Sequence, residues 1–259
     1  MKANYHTHTP RCGHATGSER EYVEAAIENG IQILGFSDHA PYAFGEGYTN
    51  HIRMDMSELE DYIETLSRLK KEYQKEIEIH IGLEMEYFPQ FFDETYEKLK
   101  AYPLEYLILA AHYYGNGHRA MKERAFVNET DKPEYLHNYF EQLSTAMEKR
   151  CFTYVAHPDL LNYTGDAEIL RANMRKLCRK ANTLELPLEI NLHGIVTKKN
   201  YPNEMFWKIA GEEKCRVIVG IDAHMVSEFQ YQKAFESAME LVKKYHLKLI
   251  EEVELKKTW

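Results

Sequence analysis

Tyr5-His6-Thr7-His8, close to the N-terminus, is the stretch around which the rest of the chain is organised. In an extended strand the side chains alternate between two faces, so His6 and His8 point to the same side. Neutral imidazole is a common ligand for zinc, iron and manganese-like ions, and the strand therefore offers two nitrogens to one site. Because a single His-x-His pair also occurs by chance on polar surfaces, its meaning depends on the segments that follow.

Short apolar runs recur along the chain and alternate with longer stretches of helical periodicity. After the first strand, these runs cover residues 31–36, 76–83, 107–111, 152–156, 187–190 and 217–221. The alternation predicts a parallel sheet, and seven strand–helix units in a chain of 259 residues favour a closed barrel. We therefore predict a single α/β domain over residues 1–259, with a doubly wound sheet as the alternative.

Possible metal ligands stand where these runs end. They are His6 and His8, His39, Glu84, His112, His157, and Asp222 with His224, and His14 in the loop after the first strand is a ninth. The carboxyl ends of the strands of a parallel barrel share one mouth, so these side chains are expected to meet. Nine ligands are too many for one ion and suit three, if a carboxylate bridges two of them. Imidazole and carboxylate donors without thiolate favour an open zinc, iron or manganese centre over a closed structural zinc site.

Composition narrows the class of protein. With 44% hydrophobic and 28% charged residues, the chain has the composition of an ordinary globular domain. No apolar run approaches the eighteen or so residues that a membrane span requires, and the N-terminus lacks the apolar core of a signal peptide. We expect a cytoplasmic protein with no membrane partner. The net charge of −9, without a basic run, argues against nucleic acid as a partner.

The four cysteines are far apart in the sequence and form no Cys-x-x-Cys pair. In a cytosolic chain they are expected to be reduced and mostly buried thiols. Cys12 lies near His8 and His14 and is a further possible ligand, although the cluster is complete without it. No Gly-x-Gly-x-x-Gly turn and no Gly-Lys-Ser/Thr loop follows a strand, which removes support from the nucleotide-binding folds.

Taken together, the motifs resemble those of the polymerase and histidinol phosphatase (PHP) superfamily along essentially the whole chain. They are His6-x-His8 with His14, Ser37-Asp38-His39, Gly82-Leu83-Glu84, His112, His157-Pro158-Asp159 and Asp222-Ala223-His224. The resemblance implies a distorted (β/α)7 TIM-like barrel with a trinuclear phosphoesterase site. Within the superfamily, Arg53-Met54 and residues 82–89 (GLEMEYFP) most resemble the histidinol-phosphate phosphatases.

The same resemblance implies a distribution of ligands over three divalent ions (zinc, iron or manganese). One ion would take His6, His8, Glu84 and Asp222; a second would share Glu84 and add His112 and His157; the third would take His14, His39 and His224. The expected reaction is hydrolysis of L-histidinol phosphate, in histidine biosynthesis, by in-line attack of a metal-bridging hydroxide. No serine or cysteine nucleophile is needed.

Two carboxylates beside the ligands, Asp38 and Asp159, are candidates for hydrogen-bond acceptors that orient the imidazole rings. Ordinary strand-end or turn carboxylates would account for them nearly as well. Phosphate recognition departs from the family pattern, because the arginines expected after His157-Pro158-Asp159 and after Asn191 are missing. The possible substitutes are Arg53, Arg119, His193, Lys198 and Lys199.

Four other functions remain open from the sequence. The chain could be a PHP phosphoesterase for another small phosphomonoester or a nucleotide, or a nuclease-like module, which the acidic composition disfavours. A carbon–nitrogen metallohydrolase is disfavoured because no strand ends in lysine, and a non-catalytic metal-binding scaffold is the remaining alternative. The pattern assigns neither the oligomeric state nor the general acid for the leaving group.

Overall fold

The computed structural model describes residues 1–42, 44, 52–115 and 125–256. In these ranges eight parallel strands form one sheet, ordered as they occur in the chain. The strands are β1 (Ala3–Asn4), β2 (Ile33–His39), β3 (Glu78–Glu86), β4 (Tyr106–Ala110), β5 (Tyr154–Val155), β6 (Leu188–Asn191), β7 (Arg216–Gly220) and β8 (Lys248–Leu249). The predicted strand–helix alternation is confirmed, and the short β8 lies at the edge of the sheet.

Helices connect the strands and cover the outer face of the sheet. They are α1 (Glu19–Glu28), α2 (Leu59–Glu72), α3 (Phe92–Leu99), α4 (Pro133–Glu148), α5 (Ala167–Thr183), α6 (Leu192–Val196), α7 (Glu204–Glu212) and α8 (Gln232–Lys244). Ser18-Glu19-Arg20-Glu21 forms a capping box at the start of α1, in which Ser18 and Glu21 each accept the other's backbone N–H. Among the helices of the described ranges, none is both long and apolar enough to cross a membrane.

The curled sheet meets itself at its carboxyl end. Beyond β1, Thr7 forms a parallel bridge with Ala223, which follows β7. The Asp222 N–H donates to the His6 carbonyl at 3.0 Å, and the His8 N–H donates to the Ala223 carbonyl at 2.9 Å. At the opposite end β7 pairs with β8 instead. The result is the distorted TIM-like barrel that was predicted, and its joined end carries the first and last of the expected ligands.

Apolar side chains fill both the interior of the barrel and the layer between sheet and helices. Tyr106 occupies the interior, and its hydroxyl donates to the Tyr5 carbonyl at 2.7 Å and to the Phe36 carbonyl at 3.0 Å. Gly35 faces this ring, and a Cβ there would collide with the tyrosine hydroxyl. The interior is therefore a packed core that supports the site above it.

Glu105, immediately before β4, closes a charged network far from the predicted ligands. Its carboxylate accepts hydrogen bonds from Lys70 Nζ at 2.7 and 2.8 Å, from His80 Nδ1 at 2.8 Å and from the Ile81 N–H at 3.0 Å. Burial would raise the pKa of Glu105, but these donors outweigh it and lower the pKa to about 2. The pairing therefore contributes stability above the ordinary glutamate pKa, and this contribution is lost as the pH falls from about 4.5 to about 2.

We expect Glu105→Gln to lower the free energy of unfolding at pH 7 by about 1–2 kcal/mol, because it removes a charge that several donors share. The difference from the wild type should shrink as the pH falls from about 4.5 to about 2, because Glu105 is protonated first in the unfolded chain and only near pH 2 in the folded protein. Urea unfolding at a series of pH values measures both effects. Glu78→Gln is the control, since Glu78 contacts the other nitrogen of His80 but is exposed. A pH-independent difference would contradict this account of Glu105.

Candidate active site

All nine predicted ligands meet at the joined, carboxyl end of the barrel. The parallel register places His39, the last residue of β2, directly beside Glu84 of β3. His112 follows β4, His157 follows β5, and Asp222 and His224 follow β7. His14 lies in the turn after a short 3-10 helix (Pro10–Cys12) and is exposed at the mouth, whereas His6 and His8 are fully buried.

Glu84 lies at the centre of the cluster. Its Oε1 atom is 3.0 Å from His157 Nε2, 3.4 Å from His6 Nε2 and 3.5 Å from His112 Nε2, and its Oε2 atom is 2.7 Å from His39 Nδ1 and 3.7 Å from His8 Nε2. One carboxylate thus faces five imidazoles from four different segments of the chain. This is the arrangement that a bridging ligand requires.

Asp222 faces the cluster from the other side. Its Oδ1 atom lies 3.0 Å from His8 Nε2 and 3.3 Å from His6 Nε2. The residue has a left-handed backbone conformation (φ 57°), which aspartate tolerates better than most residues. Because its N–H is bonded to the His6 carbonyl, this turn aims the carboxylate back over the first strand.

Charge in the cluster is concentrated on two buried carboxylates. Burial would raise the pKa of Glu84, but the facing imidazoles of His112, His39 and His6 outweigh it and hold that pKa well below its usual value. Asp222 behaves in the same way: burial is outweighed by His6 and His8, and its pKa is lowered well below the usual value. Both carboxylates are therefore ionised at neutral pH and offer negative charge to a cation.

The donor set fits divalent metal ions. His6 Nε2 and His8 Nε2 are buried nitrogens that face carboxylates without forming a hydrogen bond, and burial of unsatisfied polar atoms is costly. Several groups of possible ligands have atoms within 4.8 Å of one another, among them His6 with His8 and Asp222, His6 with Glu84 and His157, and His8 with His39 and His224. Imidazole and carboxylate donors at this spacing suit zinc and similar transition metals.

Hydrogen bonds to the far side of the rings fix several imidazoles with Nε2 inward. The Nδ1 atom of His6 lies 2.8 Å from Glu189 Oε1, that of His14 lies 2.8 Å from the Cys12 carbonyl, and that of His224 lies 3.0 Å from the Asp222 carbonyl. Such contacts select the tautomer and the ring orientation of a metal ligand. His39 is turned the other way, with Nδ1 on Glu84.

Glu189 in β6 is a functional residue that the sequence analysis missed. It is fully buried and, besides His6, it accepts hydrogen bonds from the His157 N–H at 3.1 Å and from Asn191 Nδ2 at 3.0 Å. It therefore holds the ring of one predicted ligand and the backbone of another. The sequence did contain a signal for this role, namely a glutamate inside the apolar run 187–190. A buried carboxylate needs hydrogen-bond or charged partners, so a glutamate at this position indicates a polar group nearby.

We expect Glu189→Gln to weaken zinc binding by about 10- to 100-fold, as loss of a carboxylate behind a metal-bound imidazole commonly does. Glutamine preserves the shape of the side chain but removes the charge that faces His6 Nδ1. Competition with a chromophoric chelator measures the dissociation constant, and circular dichroism checks folding. Glu240→Gln, an exposed position on α8, is the control. Unchanged zinc affinity in Glu189→Gln would show that Glu189 has only a packing role.

The two carboxylates proposed to orient imidazoles differ in placement. Asp38 Oδ1 lies 3.4 Å from His8 Nδ1, and its Oδ2 accepts the Thr9 N–H at 3.1 Å. Asp159 accepts the Asn203 N–H at 2.6 Å, and burial raises its pKa to about 7. Within the part of the chain that the structure describes, no hydrogen bond or ion pair joins Asp159 to an imidazole, so the interpretation of Asp159 as an orienting group is not supported there. It fastens the loop before α7 instead.

The candidates for phosphate binding also differ in whether they line the cavity over the cluster. Arg53 is buried, and its Nη2 atom lies 2.6 Å from Glu86 Oε2. Its guanidinium is therefore already paired with a carboxylate and does not fit direct contact with substrate. His193 and Lys199 line the cavity at the mouth of the site, whereas Lys198 does not. His193 Nδ1 is held 2.9 Å from Glu228 Oε1. Arg119 lies outside the described residues.

The cavity over the cluster has a volume of about 440 Å³. Its floor consists of the predicted ligands His14, His39, His112, His157, Asp222 and His224. Its sides are largely apolar and are lined by Ile52, Tyr113, Val127, Leu160, Tyr201 and Met225. A small molecule with one anionic group toward the floor and a less polar remainder fits this division.

A family model described as PHP domain matches residues 4–193. The chain belongs to the PHP domain family. The resemblance drawn from the strand-end motifs is thereby confirmed. A PHP-domain fold also accounts for the position of the cluster at the carboxyl ends of the strands.

Known proteins similar to this PHP-domain chain carry related names. A protein of Deinococcus radiodurans named "Probable histidinol-phosphatase" is 27% identical over 232 residues, which is 88% of each chain. The "Histidinol-phosphatase" of Bacillus subtilis is 35% identical over 119 residues, which is 44% of each chain. A crystal structure of histidinol phosphate phosphatase from Lactococcus lactis, complexed with zinc, L-histidinol and phosphate, matches with a TM-score of 0.75. It is 20% identical, and the match covers 96% of this chain and 95% of that one, which establishes the fold.

Proposed function

We propose that this PHP-domain protein is a metal-dependent phosphomonoesterase that hydrolyses L-histidinol phosphate to L-histidinol and phosphate. The observation that carries the proposal is the cluster of nine imidazole and carboxylate side chains with Glu84 at its centre, beneath an open cavity. The names of the similar proteins, and the zinc, L-histidinol and phosphate in the Lactococcus structure, support this substrate.

Three ions are proposed, with zinc favoured over iron and manganese. His6, His8, Glu84 and Asp222 would hold the first, Glu84 with His112 and His157 the second, and His14, His39 and His224 the third. Bound divalent ions supply an activated water at neutral pH and neutralise charge on the phosphate oxygens. Within the described residues, the four cysteines form no disulfide, which fits a protein that acts in a reducing cytoplasm. The proposed reaction would belong to histidine biosynthesis.

The residues of the chain would orient the ester above the floor of the cavity. The apolar sides would hold the leaving group and limit the access of bulk water. Lys199 and His193 line the cavity from the segment that follows β6, where the family pattern places an arginine. A lysine acts as a point charge toward phosphate, without the two-pronged contact of a guanidinium. We propose these two side chains as the phosphate contacts.

We expect Lys199→Gln to raise the KM for L-histidinol phosphate by about tenfold with a smaller effect on kcat, because the charge is lost while the ligands remain intact. Steady-state kinetics at constant ionic strength measures the split. Lys198→Gln is a matched control, since the neighbouring lysine does not line the cavity. Equal effects of the two substitutions would show that Lys199 has no specific role in phosphate binding.

A panel of phosphate esters tests the proposed substrate. The zinc-loaded protein should show its highest kcat/KM with L-histidinol phosphate, and lower values with phosphoserine, a sugar phosphate and a nucleoside monophosphate. Hydrolysis of the other esters without release of phosphate from L-histidinol phosphate would overturn the substrate but retain the reaction class. Zinc binding without hydrolysis of any ester would favour the non-catalytic scaffold.

A further inference from the structure

Arg53 and Glu86 form a buried ion pair directly behind one of the predicted ligands. Each side chain is only 1% exposed, and Arg53 Nη2 lies 2.6 Å from Glu86 Oε2. We propose that this pair positions His112: Arg53 holds Glu86, and Glu86 holds the imidazole that belongs to the second ion. The inference rests on the proposed metal centre, and it gives a role to an arginine that does not fit contact with phosphate.

The contact between Glu86 and His112 carries the inference. Glu86 is the last residue of β3, and its pairing with Ala110 ends the ladder between β3 and β4. Beyond this point, the His112 N–H donates to Glu86 Oε1 at 2.9 Å, and the Nδ1 atom of the ring lies 3.3 Å from the same oxygen. The opposite nitrogen, Nε2, faces Glu84 Oε1 at 3.5 Å. One carboxylate oxygen therefore fixes the backbone and the ring of a residue that lies beyond the end of its strand.

Arg53 is itself held in place from several directions. Its Nη1 atom donates to the Ala40 carbonyl at 3.3 Å. The guanidinium carbon lies over three aromatic rings, at 5.4 Å from the centre of Tyr42, 5.8 Å from Phe44 and 5.6 Å from Phe88. A planar cation packs well against aromatic faces, and these rings limit its movement. The guanidinium thus has a fixed position from which it holds its carboxylate partner.

The free-energy cost of burying this pair indicates a specific role. Removal of two charges from water is expensive, and apolar side chains of similar volume often give equal or higher stability. A carboxylate behind a metal-bound imidazole, by contrast, orients the ring and increases its basicity. Glu189 stands in the same relation to His6, at 2.8 Å from its Nδ1 atom. The alternative is that the Arg53–Glu86 pair only joins the segment around Arg53 to the sheet.

A double substitution distinguishes the two roles. Arg53→Met/Glu86→Leu replaces the ion pair by apolar side chains of similar size, so the free energy of unfolding in urea should stay close to that of the wild type. Since His112 loses its support, we expect one bound zinc ion to dissociate about 10- to 100-fold more readily, while the other ions keep their affinity. Stepwise competition with a chromophoric chelator measures the number of zinc ions and their dissociation constants.

Arg175→Met is the control for loss of an ion pair elsewhere. Arg175 in α5 contacts Glu213, which follows α7, with 2.6 Å between Nη1 and Oε1. We expect wild-type zinc affinities in this variant. Glu86→Gln is a smaller change at the proposed site, because it keeps the shape of the side chain and removes the charge that faces His112 Nδ1. It should weaken one zinc ion by about tenfold or more.

The outcomes separate this inference from the proposed function. Unchanged zinc affinities in either folded variant at Glu86 would overturn the positioning role. Weak zinc binding in Glu86→Gln that returns to the wild-type affinity in the stable double variant would also overturn it, because the pair would then act through stability alone. Zinc binding by the wild type without hydrolysis of any ester would contradict the proposed function, and the zinc affinities of the variants would still test the pair. A wild type that binds no zinc would overturn both.

Discussion

Glu84→Gln should remove tightly bound metal and lower kcat/KM for L-histidinol phosphate by a factor on the order of 10³ or more. The physical reason is the central place of the carboxylate, which faces five imidazoles from four segments of the chain. Glutamine has nearly the same shape but only one oxygen and no charge, so it is a poor bridge between two cations. Metal analysis and phosphate release, measured on the same sample, check both parts.

Glu78→Gln is the matched control for this substitution. Glu78 is the first residue of the same strand, β3, but it is exposed at the opposite end of the barrel. We expect normal metal content and normal turnover in this variant. Full activity in Glu84→Gln with intact metal content would remove Glu84 from the site and, with it, the proposed distribution of ligands.

Removal of metal should have an effect of similar size. We expect protein dialysed against a strong chelator to lose at least about 99% of its phosphatase activity and to regain it with Zn²⁺. The melting temperature should also rise when zinc is added, because an ion that binds only the folded state stabilises that state. Buried Glu84 and Asp222 both face His6 Nε2, and a bound cation would offset the negative charge of these two carboxylates.

Mg²⁺ is the control for the specificity of this rescue. It prefers octahedral sites made of oxygen atoms and binds weakly to sites rich in imidazole, so it should restore little activity. Glu84→Gln treated in the same way should not recover with Zn²⁺. A metal-depleted protein that retained its full rate would contradict a metal-dependent reaction.

The ligand cluster could be predicted from the sequence because a parallel fold converts order along the chain into a shared location. His39, Glu84 and Asp222 each follow or end an apolar run, and such runs become strands whose carboxyl ends converge. In the structure, His39 and Glu84 are register partners, and Asp222 is hydrogen bonded to the His6 carbonyl. The residue type and its place at a strand end were sufficient for these positions.

Residues whose role depends on a distant partner could not be assigned in this way. Glu189 reads as one polar residue in an apolar run, and only the fold shows that it faces His6, 183 positions away. Arg53 looks like a phosphate ligand until Glu86 is found beside it. Asp159 stands two residues after a predicted ligand, yet it bonds to the backbone of Asn203. The role of each of these residues depends on its partner and its burial, and both are set by residues that are distant in the sequence.

The bounds of several elements also depend on tertiary contacts. The run 76–83 ends before Glu84, but β3 continues to Glu86 because Ala110 of β4 pairs with that residue. The sequence pattern favours a further strand over residues 247–255, whereas only Lys248–Leu249 pairs with β7. It also offers Ser57 and Glu60 as caps of α2, but Asp55 and Glu58 form the capping box of the 3-10 helix that precedes α2. Each difference lies at the end of an element, where a neighbouring strand or turn determines the last residue of that element.

The central claim is that the ring of ligands around Glu84 binds the metal ions that receive the phosphate group. Anomalous diffraction at the zinc absorption edge, from crystals grown with zinc and phosphate, tests it most directly. We predict zinc peaks about 2.0–2.2 Å from the Glu84 oxygens and the inward-facing imidazole nitrogens, with phosphate bound to the ions in the cavity above. Zinc bound elsewhere on the protein, with no peak inside the ring, would contradict the account.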